Sequence, residues 1–135
     1  MRPGTLENAA ALAAELGHAF IATADDRGWP HLAAAGHAAF SEPGHIVLAE
    51  WFCPTTVANL QRNPRLAVIV WDPVSDTGYQ FLGELEEIKE TSLINGFVPD
   101  IERKGGILQA ERRLLVHVDR VLEFRRASHN DIEEA

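Results

Sequence analysis

Asn63-Pro64 fixes the reading of residues 46–71, and that stretch constrains the chain more than any other. The residue before a proline is pushed out of the α region, so a helix starting near Thr55 has to stop there. Ahead of it, Ile46-Val47-Leu48-Ala49 is an apolar run that follows a Pro43-Gly44 turn. Behind it, residues 66–71 read as a second buried strand. Thr55 or Thr56 is placed to cap the helix, because a hydroxyl accepts from the orphan amides of the first turn. Val57 and Leu60, three apart, share one helical face. The segment therefore predicts strand, loop, short helix, strand. A helix start fronted by two threonines is also an anion site, since free amides and the positive dipole end point outward. The plainer reading of the same pair is a cap with no ligand.

The rest of the chain supplies strands for a sheet around this segment. Leu6, Ala9, Ala10, Ala13 and Leu16 follow helical spacing, and Gly17 is placed to stop that helix. Residues 18–24 and 31–40 read as the two strands of a hairpin around Asp25-Asp26-Arg27-Gly28. The alanines at 33–35, 38 and 39 are poor strand formers, which suggests that something flat or bulky approaches that strand closely. A two-helix reading of the alanine-rich segments is opposed by Gly28, Pro30, Gly36 and Pro43. After a polar loop at 72–78 comes a long strand over 79–89, with Gly83 marking a bulge or sharp bend. Residues 91–103 carry a helical pattern interrupted near Gly96 and Pro99, and Lys104-Gly105-Gly106 reads as a loop. Residues 112–124 form the last strand, and 125–135 a polar, frayed tail. Six or so strands with about three short helices predict a mainly β (α+β) antiparallel barrel, closed or nearly so, in one domain over residues 1–135.

Charge and composition narrow the function classes. The net charge of -8 disfavours binding to a nucleic-acid backbone and to an anionic membrane surface. No apolar run approaches the ~20 residues that span a bilayer, and Met1-Arg2-Pro3-Gly4-Thr5 has no charged-then-apolar signal. A single cysteine, Cys53, excludes an internal disulfide and a multi-cysteine metal site, and fits a reducing cytoplasm. Beside Pro54 it reads either as a thiol sensitised by the helix start or as a small buried filler. Trp51-Phe52 suits either cover for an aromatic ligand or a core or subunit contact. No glycine-rich phosphate loop is present. Among the six histidines, only His31 and His37 have the even spacing that puts two on one strand face. They read as haem or metal ligands, or as ordinary strand histidines; no metal site is expected from spacing alone.

Taken in order, these stretches resemble the pyridoxamine 5′-phosphate oxidase-like FMN-binding split barrel, closest to the small bacterial FMN-binding proteins of that family. The resemblance is carried by residues 16–23 followed by Gly28-Trp29-Pro30-His31, then Thr55-Thr56-Val57-Ala58-Asn59-Leu60 with Asn63-Pro64-Arg65, then Gly78-Tyr79-Gln80-Phe81-Leu82-Gly83. Pro3-Gly4-Thr5 and residues 114–124 also have counterparts, so nearly the whole chain is covered. The resemblance implies a homodimeric, six-stranded antiparallel split β-barrel with short flanking helices and two FMN sites at the dimer interface. It implies that Ala34, Ala35, Gly36 and His37 run beside the flavin ring and that Leu48, Ala49 and Glu50 border the ribityl chain. It places Thr55, Thr56 and Asn59 at the phosphate.

One departure bears on the cofactor. Family members usually carry Lys or Arg where this chain has Thr55, and residues 49–61 hold no cation but do hold Glu50. A charge-assisted contact is worth about 1.5–3 kcal/mol, so its loss predicts FMN binding weakened roughly tenfold to a hundredfold. Arg62, Arg65 or His37 are candidate replacements. The resemblance thus implies a cytoplasmic flavin-binding protein, with FMN as the leading cofactor, in electron transfer or flavin-dependent oxidoreduction. Its alternatives are riboflavin, a deazaflavin or haem (His31 or His37 as ligand), or a non-enzymatic ligand-binding or interaction module on the same barrel. The expected partners are a second copy of the chain and the flavin. Pyridoxamine-phosphate oxidation itself is not expected, because Arg125-Arg126 is the sole trace of a basic C-terminal substrate segment.

Overall fold

The computed structural model describes residues 4–41, 43–50, 54–93, 110–128 and 132–133. The elements run α1 (Thr5–Leu16), β1 (Ala19–Ala24), β2 (Pro30–Ala35), β3 (His37–Phe40), β4 (His45–Glu50), α2 (Pro54–Arg62), β5 (Arg65–Asp72), β6 (Thr77–Leu93) and β7 (Ala110–Glu123). All strands join one antiparallel sheet in the order β2-β1-β5-β6-β7-β4-β3. The two ends of that order, β2 and β3, are consecutive in the chain and separated by Gly36 alone. Ala35 is the last residue paired with β1, opposite Ala19, and His37 is the first paired with β4, opposite Ala49. One residue therefore carries the chain from one rim of the curled sheet to the other. This is a split barrel.

Several sequence expectations are corrected here. The strand expected over 31–40 is two strands, because its halves have different partners; the sheet has seven strands, and the expected six are recovered only if β2 and β3 count as one run. Helix α2 begins at Pro54, so Thr55 and Thr56 lie in its first turn and neither caps it. Proline suits that first position, where its missing N–H costs no helical bond. Residues 91–93 continue β6 and are not helical. The remaining expectations for 94–109, and those for Trp51, Phe52 and Cys53, lie outside the described residues.

Other local signals act as their chemistry requires. Helix α1 ends at Gly17, which adopts φ 80° and donates its amide to the Ala13 carbonyl. Helix α2 ends before Asn63-Pro64, and the Asn63 amide closes its last turn on the Asn59 carbonyl at 2.7 Å. Gly83 sits at a register shift between β6 and β7, where a Cβ would lie 2.2 Å from the His117 carbonyl oxygen. No side chain fits that approach, and the bulge bends β6 around the barrel.

The interior is filled by Ile21, Leu48, Val68, Val70, Phe81, Leu114 and Val116, all essentially without solvent contact. Helix α1 packs on β3, β4 and β5 through Leu6, Ala9 and Ala13. Helix α2 packs on β1 and β2 and buries Val57 and Leu60.

The segment after β7 is not frayed where it is described. The Asp76 carboxylate accepts from the Arg126 amide at 2.8 Å, the Ala127 amide at 3.0 Å and the Trp71 indole at 3.0 Å. The Glu123 amide donates to the Ile132 carbonyl at 2.8 Å, and Arg120 pairs with Glu133 at 3.1 Å. Polar composition suggested a loose end; a carboxylate with three donors, two of them tail amides, ties its start down. No helix among the described residues is long and apolar enough to cross a membrane.

Candidate functional site

The candidate residues converge on one region. Ala34, Ala35 and Gly36 end β2, and His37 begins β3. His37 pairs with Ala49, and Ala38 with Leu48, so the end of β4 lies alongside. Helix α2, which carries Thr55, Thr56 and Asn59, packs on β1 and β2. The Gly36 switch and the end of β4 are thus neighbours, and α2 rests on the β1–β2 hairpin.

Their side chains divide into two groups. Ala34 and Thr55 face outward, and Gly36 is half-buried. Ala35, Leu48, Thr56 and Asn59 are turned into the protein, with exposures of 1%, 0%, 0% and 7%. The Asn59 amide nitrogen donates to the Thr23 hydroxyl at 3.1 Å, both groups buried. This bond ties α2 to β1. Thr23 was missed in the sequence, although its inward register with Ala19 and Ile21 signals a polar group that needs a partner.

His31 is the register partner of Thr23 and is half-buried. Its Nδ1 is buried without a hydrogen-bond partner among the described residues. Pro30, Leu32 and Ala34 alternate outward along β2. Leu32 is 63% exposed, so β2 presents an apolar strip outward, and Trp29 just ahead of the strand is 71% exposed. This strip suits a planar apolar ring or the surface of a second chain.

The cations nearest in sequence to α2's start do not serve it. Arg62 lies at the far end of α2 and pairs with Asp26 at 3.6 Å. Arg65 pairs with Glu84 at 3.3 Å. On β7, Arg112 stands opposite Glu50 in one ladder and opposite Glu90 in the other. Among the described residues, neither arginine that adjoins α2 is directed at its first turn. Among the described residues, no group of three or more His, Cys, Asp or Glu is arranged to hold a metal ion.

A second depression of about 530 Å³ opens on the barrel wall. It is lined by Ala22, Ala24, Ala67 and Leu82, with Arg65 and Arg120 at its edge. Of the residues considered for the site only Thr23 and Arg65 line it, and both arginines are engaged with carboxylates.

Known structures share this architecture. HupZ of Group A Streptococcus superposes with a TM-score of 0.65 at 17% identity, over 93% of this chain and 97% of that one. An FMN-binding protein from Syntrophomonas wolfei subsp. wolfei gives 0.67 at 16% identity, over 90% and 87% of the two chains. HutZ, the haem storage protein from Vibrio cholerae, gives 0.54 at 12% identity, over 85% and 89%. At such identities the likeness is one of fold. No curated protein matches the chain significantly. The sequence pattern of pyridoxamine 5′-phosphate oxidase matches residues 5–124, which include both helices and every strand. The chain belongs to the pyridoxamine 5′-phosphate oxidase family.

Proposed function

We propose that this protein binds a flavin at the Gly36 switch and works in electron transfer or as a flavin-dependent oxidoreductase. The observation that carries the reading is the outward apolar strip of β2, formed by Pro30, Leu32 and Ala34 on a strand that α2 packs against. Small side chains let a planar ring approach the backbone, and Trp29 and Leu32 add apolar area. The family, and a fold neighbour named as FMN-binding, support the reading. When bound, the flavin supplies the electron or hydride chemistry. The chain's own groups bind and orient it: the edge of β3 along the ring, β4's end beside the chain, and Thr55 at the tail.

We propose further that two copies meet across this face, because 71% exposure of Trp29 and 63% of Leu32 is a large apolar expense in a monomer. A dimer would sediment at twice 14.9 kDa.

The test is optical. Purified protein, or protein mixed with riboflavin or FMN, is expected to show flavin absorption and quenched flavin fluorescence. Colourless protein that quenches neither at high micromolar concentration ends the flavin reading. A Soret band on adding haem, lost in His31→Ala, would instead favour haem; the unpartnered Nδ1 of His31 is the one observation on that side.

A further inference from the structure

We propose that the site takes an unphosphorylated flavin, of the riboflavin class, at least as well as the 5′-phosphate. The inference rests on the flavin reading above and specifies its ligand. A phosphate dianion needs cations, or several donors aimed at it, to offset its desolvation. The first turn of α2 holds no cation, and its side chains offer few donors. Pro54, at the first helical position, has no N–H and removes one donor from the helix start. Thr56 is fully buried, so its hydroxyl does not reach the surface. Asn59 spends its amide nitrogen on Thr23 inside the protein. Of the three polar side chains expected at a phosphate, only Thr55 faces outward, with one neutral hydroxyl.

Charge points the same way. The only charged residue in 49–61 is Glu50, and the chain as a whole carries -8. Arg62 is seven residues further along α2, about 10 Å along the axis, and is held by Asp26. Arg112 is the register partner of Glu50 on β4 and of Glu90 on β6. A sugar-alcohol terminus, by contrast, asks only for neutral hydrogen bonds, and Thr55 supplies one.

The experiment compares riboflavin and FMN by fluorescence quenching with the full chain at one salt concentration. The wild-type protein is expected to bind riboflavin within about threefold of FMN, or more tightly. Thr55→Lys, at an exposed position, is expected to tighten FMN tenfold to a hundredfold and to leave riboflavin within about threefold. Wild-type preference for FMN by tenfold or more overturns the inference and leaves the flavin reading standing. So does an Arg112→Gln variant that folds, keeps riboflavin and loses FMN tenfold. Binding of neither flavin overturns both.

Discussion

Asn59 and Thr23 are bonded across 3.1 Å inside the protein, although 36 positions separate them in the chain. The bond ties α2 to β1. Removing one partner strands the other without water. Thr23→Val or Asn59→Leu is expected to cost about 1–3 kcal/mol. The double variant should cost less than the sum of the two, a coupling that urea denaturation of all four proteins in the cycle would read. Strict additivity would mean the bond contributes nothing to the position of α2.

Asp76 gives a pH signature. Its carboxyl is held below the ordinary 3.8, first by the Arg126 amide and then by the Trp71 indole, with the Ala127 amide and the Arg125 charge assisting. A depressed carboxyl stabilises the folded state above its unfolded value, and that stability is lost as pH falls through the folded value. Asp76→Ala should therefore be less stable than the parent at neutral pH, and the gap should close below pH 3.8. Trp71 fluorescence during acid titration follows the change directly.

Gly83 tolerates no side chain. An added Cβ would stand 2.2 Å from the His117 carbonyl oxygen, a backbone atom that moves only with β7. Gly83→Ala is expected to lose about 1–3 kcal/mol through overpacking, seen as a lowered thermal midpoint. An unchanged midpoint would mean the bulge shifts without cost.

The apolar strip makes a separable prediction about association. Leu32→Asp and Trp29→Ser change residues that are mostly exposed in one chain, so monomer stability should move by less than about 0.5 kcal/mol. Sedimentation should nevertheless show a shift toward the single-chain mass of 14.9 kDa. A dimer that persists unchanged removes this face from the interface.

Local chemistry was readable where it acted alone. Gly17, Asn63-Pro64 and Gly83 each ended or bent an element through a steric rule that needs no partner. The family resemblance was readable too, because it summed weak signals over the whole length. What the sequence hid depends on pairing at a distance. Nothing in Ala33-Ala34-Ala35-Gly36-His37-Ala38-Ala39 marks where β1 stops being the neighbour and β4 begins, since the alanines suit both. The family resemblance puts Thr56 and Asn59 outward, at a phosphate. Their burial follows from how α2 rolls onto β1, which Val57 and Leu60 dictate. The tail looked loose because its anchor, Asp76, lies 50 positions from Arg126.

The break at Gly36 leaves β2 bonded only to β1 and β3 only to β4. Each strand therefore keeps one margin of peptide N–H and C=O groups that no other strand of the sheet uses. Contacts made through such groups do not depend on which side chains flank them. A margin of that kind pairs with any extended segment laid along it, whatever that segment's sequence.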